Sequence, residues 1–126
     1  LGQIEGGFVQ GQGWLTIEEL NWKSNGQITT FSPSTYKIPA VSDIPKKFNV
    51  EIFKEGLNKE KVVNKAKTTG EPPLMLAMSV FFAIKDAVAS IGNYQIAPEL
   101  NAPATAERIL MSINKIKNKI KNQNGR

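Results

Sequence analysis

A chain of 126 residues, 40% hydrophobic and 21% charged, has the size and composition of one globular domain and not of a disordered segment. It contains neither cysteine nor histidine, which excludes disulfides, thiolate chemistry and the usual zinc or iron–sulfur ligands, and leaves acid–base work to Asp, Glu, Lys or Tyr. The formal charge is +5, but Lys115, Lys117, Lys119, Lys121 and Arg126 all lie beyond position 113 and every acidic residue precedes it; a basic tail on a neutral body argues against nucleic-acid binding, which needs a basic face across the fold.

The chain opens at Leu1, already inside what reads as an element, and is expected to be a piece of a longer polypeptide. Residues 3–20, "QIEGGFVQGQGWLTIEEL", place Ile4, Phe8, Leu15 and Ile17 near helical spacing, with Gly6, Gly7, Gly11 and Gly13 interrupting. Each interior glycine costs about 0.5–1 kcal/mol relative to alanine. Four in one helix therefore imply close approach of another backbone or a ligand. A phosphate-cradling loop is the competing idea, but "GQG" lacks the third glycine of that motif and no strand precedes it.

In "LNWKSNGQITTF", residues 20–31, Asn25-Gly26 predicts a hairpin turn. "SPSTYKIP" reads as an irregular crossing, because Pro33 and Pro39 deny regular pairing. "KKFNVEIF", residues 46–53, alternates Phe48, Val50 and Ile52 against Asn49 and Glu51, the pattern of a half-buried strand. A charged loop over 54–66 is expected to contain a short strand around Val62-Val63.

Pro72 and Pro73 suit the first turn of a helix, where their missing N–H groups would have no partner anyway. The apolar run that follows predicts a central, largely buried helix to about Ile91, stopped by Gly92 as its C′ residue. Its most apolar part, Pro72 to Ile84, is shorter than the roughly 20 residues a bilayer span needs. No secretory signal pattern opens the chain. Thr105 can cap a final helix, with Glu107 in its first turn and Ile109, Ile113, Ile116 and Ile120 as one apolar stripe. The plain reading of its lysines is a solvated face; a membrane-surface or acidic-partner helix is the alternative.

One carboxylate stands apart. Glu71 follows Gly70, which permits close backbone approach, and precedes two prolines that fix the chain. A general base needs such rigid placement. A first-turn acid that merely meets the helix dipole is the other reading of the same residue.

"GQIEGGFVQGQGWLTIEEL", "PSTYKIPA" with "DIP" after it, "KTTGEPPLMLAMSVFFAIKDAV" and "LNAPATAERIL" together resemble, in order, the C-terminal end of the molybdopterin-binding domain in the xanthine dehydrogenase and aldehyde oxidase family of molybdenum hydroxylases. The resemblance covers residues 1–113, and 114–126 read as a basic extension of the last helix. The Glu-Pro-Pro form is similar to xanthine dehydrogenases, and "GWLTIEEL" with the short C-terminus is similar to the separate large subunit of bacterial, cytoplasmic enzymes. The resemblance implies that Glu71 is the catalytic base, taking a proton from the hydroxyl on molybdenum, and that Gln3, Thr69 and Gly70 contact the molybdenum cofactor, with no metal ligand in this chain. It implies a purine substrate, hypoxanthine or xanthine, oxidised toward urate. In the whole enzyme, 2Fe-2S clusters, FAD and NAD would carry electrons away. Thr68-Thr69 departs from the small apolar residues usual before "GEPP". The expected architecture is an α+β piece of the cofactor-binding domain. It has a glycine-rich helix, a hairpin and further strands, a buried central helix and a terminal helix. Its expected partners are the rest of that domain and an iron–sulfur/flavin subunit in a hetero-oligomer, with no nucleic acid and no membrane. The chain alone is expected to be inactive. The alternatives are a related hydroxylase acting on aldehydes or other N-heterocycles, and a non-catalytic module using the basic helix.

Overall fold

The computed structural model describes residues 1–56 and 58–124. Four helices carry it: α1 (Gly2–Thr16), α2 (Glu71–Leu76), α3 (Met78–Ser90) and α4 (Ala106–Asn124), with single 3-10 turns at Val41–Asp43 and Val63–Lys65. Three of the glycines in helix α1, Gly7, Gly11 and Gly13, are where other elements pack. A Cβ at Gly7 would lie 2.5 Å from the carbonyl oxygen of Gly70, and one at Gly11 would strike the Leu74 carbonyl and stand 2.8 Å from Ala77 Cβ. The contacts advance together along both chains, so α1 and α2 run in the same direction with their backbones touching. Gly13 makes room for a third contact, with the Glu18 carboxylate and the ring of Pro39.

That third contact seats the proline-flanked crossing on the end of α1. Glu18, only 9% exposed, accepts a hydrogen bond from the Tyr36 hydroxyl. The bond to Glu18, then burial, then the carboxylate's charge push the Tyr36 phenol above its ordinary value, so it stays the donor. Gln12 Nε2 donates to the Asp43 carbonyl oxygen at 2.6 Å. Helix α1 ends as Ile17 and Glu18 both donate their N–H groups to the Gly13 carbonyl at 3.0 Å.

The strands expected between α1 and α2 are not formed among the described residues. The hairpin shrinks to its turn. Gly26 adopts φ 82°, its N–H reaches Lys23 O at 2.9 Å, Lys23 N–H reaches Gln27 O at 2.8 Å, and one antiparallel bridge joins Trp22 to Ile28. Residues 46–53 form no ladder among the described residues. Phe48 instead packs against Phe8 of α1, with ring centroids 5.3 Å apart and the rings tilted by 39°. At Val62-Val63 the chain makes a 3-10 turn in place of a strand. The α+β expectation is therefore corrected to helices joined by irregular segments.

The second packed unit lies between α3 and α4. Val88, Leu100, Ala104 and Ile116 form its buried centre, with Phe81, Ile84, Ile91, Ile109, Ile113 and Ile120 packed around them. The isoleucine stripe of α4 thus faces inward, and Ile116, beyond position 113, is only 1% exposed. Thr105 Oγ1 accepts the Arg108 N–H at 3.4 Å as an N-cap. Arg108 also donates to the carbonyls of Ala102 and Pro103 at 3.0 and 3.1 Å and pairs with Glu19 at 3.2 Å. With the Ala104 N–H bonded to Leu15 O at 2.7 Å, these contacts tie the start of α4 to the end of α1.

The central helix differs from its expectation in three ways. It breaks at Ala77 into α2 and α3. It is largely exposed: Pro73, Ala77 and Val88 are its buried residues, while Leu76 and Phe82 are 68% and 59% exposed. Its stop is not glycine in the left-handed region, since the positive φ values fall on Asn93 and Tyr94. Gly92 instead faces α4 closely, where a Cβ would sit 3.1 Å from Ile116 Cγ2. Together Glu71–Ser90 are also long and apolar enough, at 20 residues, to cross a membrane by length and composition, which corrects the expectation from the shorter apolar run.

Two α4 lysines, expected to be solvated, are engaged. Lys115 Nζ and Lys119 Nζ donate to the two carboxylate oxygens of Glu99 at 2.9 and 2.8 Å. The bonds to Lys119 and Lys115 hold the Glu99 carboxyl down from its ordinary 4.5 to about 2. A carboxyl lowered in the folded state stabilises above its ordinary value and loses that contribution as pH falls. Glu99→Gln is thus expected to lower the melting temperature slightly at pH 7 and low salt. The difference should shrink between pH 4.5 and pH 2 and vanish below, as paired melting curves across that range would show.

Candidate active site

The helix pair α1–α2 creates a cleft of about 430 Å³. One wall is a face of α1 written Gln3, Gly6, Gly7, Gln10, the i, i+3, i+4, i+7 spacing of a single helical stripe, with Gly2 at its edge. The other wall is the start of α2: Gly70, Glu71 and Leu74. Glu71 is held there by local chemistry. Pro72 and Pro73 fit the first turn, and the Gly70 carbonyl accepts the Leu74 N–H at 3.1 Å, so the residue before Glu71 is pinned both by its own helix and by Gly7. Glu71 itself is exposed and is the sole ionisable residue lining the cleft among the described residues.

The glycines divide into two sets. Gly7 and Gly11 are occupied by α2, whereas a Cβ on Gly2, Gly6 or Gly70 would meet nothing within 4 Å. Internal packing therefore does not require glycine at these three positions, and all three line the cleft. Their bare backbone, between two glutamine amides, leaves room for a bulky polar group to lie against the main chain. The expected site residues Gln3, Gly70 and Glu71 are brought together here. Thr69 is exposed and outside the lining. Sequence reasoning passed over Gln10 and left the helix glycines undivided, although the seven-residue step from Gln3 to Gln10 with Gly6 and Gly7 between them was the available signal.

A larger cavity, about 900 Å³, is lined mainly by apolar residues including Ile17, Leu20, Phe31 and Ile38. It contains none of the expected site residues. Among the described residues no group of three or more acidic side chains could hold a metal ion, so the cleft offers amides, backbone and one carboxylate.

Comparison with known proteins bears on what the cleft holds. The family model of the molybdopterin cofactor-binding domain matches residues 1–45, which include the whole α1 wall. The chain is 46% identical over 123 residues to a xanthine dehydrogenase of Oryza sativa subsp. japonica, covering 89% of this chain and 9% of the relative. It is 49% identical over 115 residues to a xanthine dehydrogenase/oxidase of Felis catus, covering 86% and 9%. It is 48% identical over 116 residues to a xanthine dehydrogenase of Blastobotrys adeninivorans, covering 87% and 8%. The chain thus spans less than a tenth of the length of these curated relatives.

Proposed function

Because the chain is a segment of the molybdopterin-binding part of the xanthine dehydrogenase family, we propose that it supplies one wall of a molybdenum hydroxylase active site, with Glu71 as the catalytic base. The observation that carries the reading is the meeting of Gln3, Gly70 and Glu71 on one cleft whose glycines are not used by the chain's own packing. Gln3, through its amide, and the Gly70 backbone would hold the cofactor, with Thr69 as the exposed residue beside them. When bound, the molybdenum cofactor supplies the two-electron oxidation that no side chain of this chain can perform. Glu71 takes up, at a carboxylate oxygen, the proton of the water-derived nucleophile that attacks an electron-poor carbon.

In this reading residues 1–113 are part of the cofactor-binding domain and 114–126 a basic extension of its last helix. The substrate is a purine, hypoxanthine or xanthine, and electrons pass through 2Fe-2S clusters and FAD to NAD elsewhere in the enzyme. The enzyme is cytoplasmic, of bacterial type, and its partner is an iron–sulfur/flavin subunit. The exposed apolar side of α2–α3 belongs against the rest of the cofactor-binding domain and not in a membrane, since the other side packs on α1 and α4. Capture of Lys115 and Lys119 by Glu99 weighs against a module working through a free basic helix.

The test is molybdenum and pterin analysis of the intact protein with a substrate panel. Stoichiometric cofactor and faster oxidation of xanthine and hypoxanthine than of aldehydes are expected. Faster aldehyde turnover would reassign the substrate, and an intact protein without molybdenum would end the reading.

A further inference from the structure

The register of the two parallel helices places a second residue beside Glu71. Gly7 packs on Gly70, and Gly11 packs on Leu74 and Ala77. Position 10 of α1 is therefore level with the first turn of α2, while position 3 extends past the α2 N-terminus. Gln3 and Gln10 are separated by about 10 Å along the axis, at 1.5 Å per residue, with Glu71 across the cleft from the stretch between them. Both amides line the cleft with Glu71, so their roles need not be the same.

On this geometry, which rests on the proposed role of Glu71, we propose that Gln10 is a positioning residue that donates its side-chain amide N–H to the Glu71 carboxylate during turnover. An amide suits this position. It donates to the ionised acid without adding charge, and a donor to the charged form favours that form. Few other groups compete for control of the base. Glu5 on α1, Glu18 just beyond its end, and Lys85 and Asp86 on α3 do not line the cleft. Glu18 is turned toward Tyr36, and Asp86 faces the Tyr94 hydroxyl at 3.5 Å. Lys67, ahead of α2, is likewise outside the lining. Gln10 is exposed, and alanine is a better helix former than glutamine, so truncation there leaves the scaffold standing.

The test is the pH profile of kcat/KM for xanthine in the intact, cofactor-loaded enzyme, comparing wild type with Gln10→Ala, Gln10→Glu and Glu71→Gln, and with molybdenum content measured for each. A hydrogen bond to a charged group is of a size that shifts a titration by about one pH unit. Gln10→Ala should move the acid limb up by about that amount, a loss of roughly tenfold in rate below the limb. Gln10→Glu should move it further, because a like charge also disfavours the ionised base. Molybdenum content should be unchanged in both. An acid limb unmoved in Gln10→Ala overturns the inference. So does a Gln10→Ala enzyme that loses cofactor while its loaded fraction keeps the wild-type limb; that result would assign Gln10 to the cofactor. Failure of the underlying reading looks different: Glu71→Gln would retain wild-type rate and limb, and the inference would fall with it.

Discussion

Glu71→Gln in the intact enzyme is expected to abolish turnover while the protein keeps its fold and its cofactor. The substitution preserves the shape of the side chain at the start of α2, and Pro72, Pro73 and the Gly70 carbonyl, not the carboxylate, set that start. What it removes is the ability to accept a proton. Loss of a positioned base costs about 10²–10⁴-fold, and no other ionisable group among the described residues lines the cleft to replace it. If the acid served only the helix dipole, the cost would instead be about 0.3–1 kcal/mol of stability with turnover preserved. Steady-state rates beside molybdenum content separate the two. A fully loaded Gln variant at near wild-type speed would end the catalytic role.

The second large effect is a contrast between two glycines five residues apart on one helix. Gly11→Ala should damage the fold, because its methyl would meet the Leu74 carbonyl and Ala77 Cβ, and neither a carbonyl nor a methyl can rotate away. Overpacking of this kind costs about 1–3 kcal/mol or more, outweighing the gain of about 0.5–1 kcal/mol from alanine's helix propensity. Gly6→Ala keeps that gain with no clash, since nothing lies within 4 Å of the added methyl. It should therefore fold at least as well as the wild type and yet lose cofactor, because the methyl projects into the cleft. Melting temperature and molybdopterin content in the intact enzyme should rank the two variants in opposite order. A Gly6→Ala enzyme with full cofactor and full rate would show that the bare floor is not used.

The helices and the place of Glu71 at the start of α2 were legible in the sequence because their signals are local. The proline pair after Glu71, the isoleucine stripe of α4 and the Thr105 cap each act within a few residues of where they are written. The excess of glycine in α1 also announced a close approach correctly, though not that α2 would be the partner for only part of it. The strands were not legible in the same way. The alternation of Phe48, Val50 and Ile52 describes a face that could be buried, but a ladder needs a neighbouring edge, and a single segment cannot encode where that edge comes from. The burial of the central helix failed for a related reason. Apolarity states what a surface would gain by being covered, and Leu76 and Phe82 have no cover within the described residues. Gln10 was readable only once the parallel register of α1 and α2 was known.

The backbone contact between α1 and α2 also limits how the site can move. Sliding α2 by one residue along α1 would carry its carbonyls from Gly7 and Gly11 onto Phe8 and Gln12, or the other way onto Gly6 and Gln10, so either step sets at least one carbonyl against a side chain. Glu71 and the amide-lined floor must then travel as one rigid body. Motion between them is confined to side-chain rotation, on the picosecond-to-nanosecond scale of exposed rotamers. Any slower gating that admits substrate or releases product has to arise in other segments, and spectroscopic labels placed on α1 and α2 should report a constant separation throughout the catalytic cycle.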